Sequence, residues 1–327
     1  MKRIAILTSG GDAPGLNACI RAIVRSGYYY GLEVLGVKRG FKGLIENDFF
    51  TLSTRDVSGI IDKGGTIILT SRENRFSEFK YRKIAYENLR KLDIDGLFVV
   101  GGNGSLEGAY LLSAEFDIPI IFIPKTIDND VFGTDYTIGF DTAVNTVVDA
   151  ISKIRDTSYS HERIFIVEVM GRKSGFIALA SGIASGSDLT LIPEYPFPMY
   201  LIEESIEKAF LKGKKNFIIV LAEGVAYAKD LRNTLLERLS KKEINISEIK
   251  YSVLGYIQRG GSPSAFDRIL ATKFGVFAVK QFLAGHKNIM VSFEKGDLNI
   301  KQLKDVHNRI KKPNIEDFDI NNIVNFV

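Results

Sequence analysis

The chain has a single cysteine, Cys19, in 327 residues. One thiol excludes an internal disulfide framework and leaves no cysteine cluster for zinc, which suits a reducing compartment. Long hydrophobic runs are also missing: no apolar stretch approaches the roughly 20 residues needed to span a bilayer. The segment Ile4-Ala5-Ile6-Leu7 after Met1-Lys2-Arg3 is too short for the apolar core of a secretory leader. The expectation is a cytoplasmic protein with no membrane partner. A large excess of charge of one sign is missing as well. The net charge is +4 and the basic residues form no long block, so nucleic acid is not an expected partner, whereas small anions are. No tandem repeat or low-complexity linker interrupts the chain. Neither G-x-x-x-x-G-K-[ST] nor a complete G-x-G-x-x-G occurs, so any phosphate handling must use another scheme.

What is present is a chain that is 45% hydrophobic with 30 glycines. It can bury a large core, and its length favours about two domains. Apolar runs at 4–7, 34–37, 96–100, 118–123, 164–169, 189–192, 217–222 and 288–291 read as buried strands separated by helix-length segments. That alternation predicts an α/β fold with parallel, doubly wound sheets. Tyr28-Tyr29-Tyr30 reads as packing at a helix end.

Three glycine-rich turns follow strands and precede helices: Gly10-Gly11-Asp12-Ala13-Pro14-Gly15, Gly101-Gly102-Asn103-Gly104-Ser105 and Gly171-Arg172-Lys173-Ser174-Gly175. Such turns let the backbone approach a phosphate, and the amides of the following helix supply donors. In a parallel sheet they emerge at the carboxyl ends of strands and can line one crevice. A fourth strand end opens into Pro124-Lys125-Thr126-Ile127-Asp128-Asn129-Asp130. If this loop is extended, Thr126, Asp128 and Asp130 share a face and Ile127 packs the other way. One cation, one hydroxyl and two carboxylates suit a general base beside a metal-binding carboxylate.

Together with Thr8-Ser9 and Leu16-Asn17 around the first turn, these elements resemble the 6-phosphofructokinase family. So do Gly133-Thr134-Asp135-Tyr136-Thr137-Ile138-Gly139-Phe140, Glu168-Val169-Met170-Gly171-Arg172 and Gln258-Arg259-Gly260-Gly261-Ser262-Pro263. The matches run in the family's order from residue 4 to about residue 310. The resemblance implies two similar doubly wound three-layer α/β domains with the active site in the cleft between them. The phosphoryl-donor domain would be 1–139 plus 258–306, and the fructose 6-phosphate domain 140–257 plus 307–327.

The implied activity is transfer of a phosphoryl group to the 1-hydroxyl of fructose 6-phosphate. By resemblance, Asp128 is the base, Arg172 stabilises the transferring group, and Thr126 hydrogen-bonds it. Asp130 helps to hold Mg²⁺, with Asn103 in its neighbourhood. Gly11 and Arg72 fall on the donor phosphates, Phe41 and the Gly104 to Gly108 turn, with Ser105, beside the adenine and ribose, and Gly102, Asn103 and Lys125 complete the donor site. Met170, Gly171, Glu223, Tyr256 and Arg259 fall on the sugar phosphate. Arg163 and Lys250 match residues that a neighbouring subunit supplies, which implies a homotetramer. Arg21, Arg25, Arg155, Asp188, Lys212 and Lys214 match an effector site for ADP or phosphoenolpyruvate.

Several positions depart from the family pattern. Asn103 replaces an aspartate, and its amide carbonyl is a weaker cation ligand. Lys125 is the residue typical of pyrophosphate users, whereas Gly104 is the ATP-type residue. Tyr256 replaces a histidine, and Lys250 an arginine, keeping charge but losing the bidentate fork. Thr54 stands where an arginine is usual, with Arg55 next to it, and Asp188 replaces a glutamate. ATP is the favoured donor, with pyrophosphate the alternative. A non-catalytic sensor of sugar phosphate or nucleotide is a further reading, opposed by the joint presence of Thr126, Asp128, Asp130 and Arg172. A lipid or NAD kinase shares a similar glycine turn but lacks the 124–130 loop.

Overall fold

A computed structural model describes residues 1–241 and 248–324. Residues 242–247 and 325–327, both within the expected sugar domain, lie outside the described residues. The chain divides into two compact units, Met1–Thr142 with Arg259–Lys311, and Ala143–Gln258 with Lys312–Val327.

In chain order the elements are β1 (Arg3–Thr8), α1 (Leu16–Tyr29), β2 (Glu33–Val37), α2 (Phe41–Glu46), β3 (Phe49–Thr51), α3 (Phe79–Lys91), β4 (Gly96–Gly101), α4 (Asn103–Glu115) and β5 (Ile120–Pro124). Then come α5 (Phe140–Ser160), β6 (Ile164–Val169), α6 (Phe176–Ser185), β7 (Leu189–Leu191), α7 (Met199–Leu211), β8 (Phe217–Ala222), α8 (Ala228–Leu239) and β9 (Ile249–Val253). The chain ends with α9 (Ala265–Leu283), β10 (Ile289–Glu294), β11 (Asp297–Gln302), α10 (Leu303–Val306) and α11 (Ile315–Val324).

The first unit holds a seven-stranded sheet ordered β11-β10-β5-β4-β1-β2-β3. Its interior pairings are parallel, but β11 and β3 pair antiparallel at the two edges. Buried side chains from both faces form two clusters, one around Ile4, Ile6, Phe98 and Phe274 and the other around Leu7, Val99, Leu106 and Phe122. Strands β1, β4 and β5 are apolar on both faces, as a sheet covered by helices on each side requires. Helix α1 turns its apolar stripe onto this sheet and against α9. A Cβ added at Gly275 would lie 2.6 Å from the Ala22 Cβ, so glycine there lets the two helices approach. Cys19 is buried in the same interface, and burial pushes its thiol well above the ordinary value, so it is a core residue without reactivity.

The second unit holds an all-parallel sheet of four strands, β7-β8-β6-β9, with its own core around Ile166, Ile206, Phe217 and Leu235. Parallel, doubly wound sheets were the sequence expectation, and the structure has them; the antiparallel edge strands β3 and β11 are additions to it. These two strands and the parallel edge strand β9 carried no sequence signal for a local reason: β3 has three residues, and β9 and β11 mix polar residues through the strand, so none shows the long apolar run of a strand buried on both faces. Edge strands with one wet side read as loop. Tyr28, Tyr29 and Tyr30 do lie at the end of α1, but they are exposed rather than packed as expected.

Candidate active site

In the first unit the glycine turns and the carboxylate loop stand at the carboxyl ends of adjacent parallel strands, β1, β4 and β5. The first turn runs from β1 to α1. Gly15 takes φ 99° at the N-cap of α1, a conformation that a side chain disfavours, and a Cβ there would meet Ile138 at 2.7 Å. A loop that the sequence did not single out is laced to this turn: Thr8 Oγ1 donates to the Leu69 carbonyl, Thr70 Oγ1 to the Gly10 carbonyl, and the Gly10 N–H to the Ser71 carbonyl. That lacing brings exposed Arg72 beside the turn. The Arg259 guanidinium also packs there, 2.9 Å from where a Cβ on Gly11 would be.

The second turn starts α4 without a side-chain cap, so its early amides are left for another acceptor. A Cβ on Gly104 would meet nothing within 4 Å; this position faces open space. Ser105 is buried, and Gly108 lies against the Phe41 ring. Phe41 itself is 4% exposed and stacked on Phe76 at 4.0 Å between ring centroids. It is chiefly a packing residue and offers an adenine little surface.

The 124–130 loop is not extended. Ile127 and Asp128 form a turn, and Asn129 is left-handed with φ 52°. The Asp128 N–H donates to Thr126 Oγ1 at 3.2 Å, so the threonine closes the turn on itself. The two-residue alternation expected for Thr126, Asp128 and Asp130 therefore fails, although Ile127 is buried as expected. Asp128 is 9% exposed. Gly102 abuts Thr126, with its notional Cβ 3.5 Å from the threonine Cβ.

Lys125 is almost wholly buried. Its ammonium donates to the Ser9 carbonyl at 3.2 Å and to the Gly11 carbonyl, tying β5 to the first glycine turn. Asn103 Nδ2 donates to the Asp130 carbonyl at 3.3 Å, which leaves Asn103 Oδ1 buried with no hydrogen-bond partner. An orphaned amide oxygen next to a carboxylate-bearing residue suits a hard cation. Lys311, missed in the sequence, braces the same loop: its N–H donates to the Asp130 carbonyl, and its ammonium to the Thr134 and Asp135 carbonyls. Burial lowers its pKa to about 8 against the opposing pull of Asp135 and Asp130. Among the described residues no group of three or more His, Cys, Asp or Glu could hold a metal.

In the second unit the turn after β6 carries Met170, Gly171 and Arg172. Gly171 has φ 145°, and a Cβ on it would stand 2.2 Å from the Ser174 carbonyl oxygen, so no side chain fits. Glu223 Oε1 accepts from the Gly171 and Arg172 N–H groups at 3.1 and 2.7 Å, and Glu194 Oε1 from the Gly175 N–H at 2.9 Å. Glu223 thus shapes the turn that presents Arg172. Met170 donates its N–H to buried Gln258, while Tyr256 on the adjoining short turn is exposed. Arg163 and Lys250 come together on one carboxylate that the sequence did not flag: both pair with Glu248, Arg163 at 2.8 Å, and these cations hold its pKa below the usual value.

The candidate effector residues are divided between the units. On α1, exposed Arg25 lines a surface hollow of about 650 Å³ with Tyr28, Tyr29, Thr54, Arg55 and Ser58, and Arg21 is half-buried one turn earlier. Arg55 and Arg25 are the two cations lining this hollow. In the second unit Lys214 pairs with buried Asp188, and Arg155 donates to the Ser185 and Gly186 carbonyls at the end of α6. Lys212 follows α7 and is exposed.

Strand-end glycine turns beside buried polar side chains mark an α/β enzyme that handles phosphate groups. The chain belongs to the phosphofructokinase family, whose profile matches residues 3–282. It is 64% identical over 324 residues to an ATP-dependent 6-phosphofructokinase of Persephonella marina, covering 99% of both chains. Among solved structures it resembles the phosphofructokinase of Saccharomyces cerevisiae, with TM-score 0.86 and 34% identity, covering 94% of this chain and 45% of that one. It also resembles a pyrophosphate-dependent phosphofructokinase from Marinobacter aquaeolei, with TM-score 0.85 and 25% identity over 97% of this chain and 86% of that one. Among the described residues no helix is long and apolar enough to cross a membrane.

Proposed function

We propose that the chain is an ATP-dependent 6-phosphofructokinase, a cytoplasmic phosphotransferase that acts on an alcohol group and makes fructose 1,6-bisphosphate in glycolysis. The observation that carries the choice of donor is the open space at Gly104, together with the attachment of the Lys125 ammonium to the Ser9 and Gly11 carbonyls. The first leaves room for a nucleotide's α-phosphate. The second gives Lys125 a structural task that does not depend on pyrophosphate. The 64% identical relative, named as ATP-dependent, supports the same reading.

In this mechanism Asp128 takes the proton of the sugar 1-hydroxyl. The new O1–P bond forms as the bond from the γ-phosphorus to its bridging oxygen breaks, and ADP leaves with the electron pair. Thr126 bonds the transferring group, and Arg172 offsets its charge. Gly11, Arg72 and the amides at the start of α4 receive the donor phosphates; Met170, Gly171, Glu223, Tyr256 and Arg259 hold fructose 6-phosphate. Asp130 and the orphaned Asn103 oxygen fit Mg²⁺, which, when bound, neutralises charge on the donor phosphates. Arg163 and Lys250 serve the sugar site of a neighbouring subunit in a homotetramer, and Arg25 and Arg55 line an effector hollow for an anion such as ADP or phosphoenolpyruvate.

The test is product formation by the purified protein from fructose 6-phosphate and Mg²⁺, with ATP and pyrophosphate supplied in separate reactions. Turnover with ATP and none with pyrophosphate is expected. Turnover with pyrophosphate alone reverses the assignment, and none with either donor removes it.

A further inference from the structure

The run from Gly133 to Phe140 is prominent in the sequence but takes no part in the chemistry above. In the structure its middle closes onto the 124–130 loop. Thr137 is 0% exposed. Its Oγ1 lies 2.6 Å from the Thr126 carbonyl and 3.2 Å from Asn129 Oδ1, so its one proton goes to the nearer carbonyl. Its N–H donates to Asn129 Oδ1 at 3.0 Å, and Asn129 Nδ2 donates back to the Asp135 carbonyl at 3.1 Å. One residue on, the Ile138 N–H donates to the Pro124 carbonyl at 3.2 Å.

These bonds fall on both sides of Asp128, at Thr126 before it and at Asn129 after it. Asn129 is 3% exposed and left-handed, a conformation that asparagine tolerates better than most residues and that the two-way bonding of its amide stabilises. The far end of the run is anchored too: the Gly139 and Thr142 N–H groups donate to the carboxylate of Asp267 on α9 at 2.9 and 2.8 Å. The turn bearing Asp128 is therefore tied through 135–142 to the buried face of the long helix α9.

We propose that Thr137, acting with Asn129, is a positioning residue for phosphoryl transfer, holding the 126–129 turn so that the Asp128 carboxylate stays aimed at the sugar hydroxyl. This rests on the reading of Asp128 as the base. A base must lie within hydrogen-bond reach of the proton it removes, and a displacement near 1 Å costs about 100-fold in rate. Packing alone does not account for Thr137, since valine has nearly its shape and would fill the same space.

Thr137→Val keeps that volume and removes the hydroxyl; Thr137→Ser keeps the hydroxyl. Thr137→Val is expected to lower kcat by roughly 10- to 100-fold with the KM values for ATP and fructose 6-phosphate within about twofold of the parent, and Thr137→Ser to restore most of the rate. In an Asp128→Asn background the same valine should cost less than about twofold, because the group it positions is gone. An unchanged kcat in Thr137→Val, or an equal loss in both backgrounds, overturns the proposal. If the valine variant does not fold, Asn129→Asp, which loses the donor to Asp135, must show the same loss of kcat. If the parent protein makes no product, the functional reading fails, and hydrogen exchange decides the brace separately. Thr137→Val should speed exchange in residues 125–139 and leave β1 and β4 unchanged; unaltered exchange in 125–139 removes the brace.

Discussion

Gly104 and Lys125 point to different donors when read as letters and to one when read as atoms. The lysine ammonium is bonded to the Ser9 and Gly11 carbonyls, whereas the glycine opens onto free space. A carboxylate introduced at Gly104 would have room and would not disturb the fold, yet it would repel a polyphosphate. Gly104→Asp is expected to lower kcat/KM for ATP by at least about tenfold with an unchanged melting temperature, since like charges brought together cost several kcal/mol. Steady-state kinetics beside a thermal melt checks this. Full ATP activity in that variant would mean the donor does not pass this position. The carboxylates of Asp128 and Asp130 stood out as candidate chemistry by residue type, and Arg172 only through the family resemblance. Lys311, Glu248 and the Thr70–Ser71 lacing did not, because each acts through a backbone carbonyl or a partner far away in sequence.

At the scale of elements, α9 carries a titratable anchor. Asp267 is fully buried and accepts from Gly139, Thr142 N–H and Thr142 Oγ1; burial outweighs those bonds and, with nearby Asp141, pushes its pKa up to about 6 from 3.8. The folded chain thus holds a proton that the unfolded chain releases. The resulting stability is fully present below about pH 4 and is lost as pH rises through about 6. Relative to Asp267→Asn, the parent should gain about 2 kcal/mol of unfolding free energy between pH 7 and pH 4.5, in line with a shift near two units. Urea titrations of both proteins at the two pH values test it, and parallel pH dependence would contradict it. The buried parallel strands were legible because they are apolar on both faces. The edges β3, β9 and β11 were not, because a strand with one wet side, three residues long or mixed in polarity, lacks that mark.

At the scale of the whole molecule the chain passes between its units three times, after Thr142, after Gln258 and after Lys311. Arg163 and Lys250 belong to one unit and Asp128 to the other. If the sugar site is completed by a neighbouring subunit, an Asp128→Asn chain and an Arg163→Ala/Lys250→Ala chain, each nearly inactive alone, should regain activity when refolded together. Random pairing about a two-fold axis gives about a quarter of the parent rate. Mixing without recovery would place the whole site within one subunit.

The buried parallel strands with the helices between them, the three glycine turns and the carboxylate loop were determined by the sequence itself, because apolar periodicity, glycine at strand ends and clustered carboxylates are local signals. Tertiary structure decided what those groups do with their partners. It bent the 126–129 loop into a turn, set the Lys125 ammonium on backbone carbonyls, left Asn103 Oδ1 without a partner and buried Phe41 against Phe76. Each of these outcomes is a contact between segments distant in the chain, or a competition between a local bond and burial, and neither is written in residue spacing.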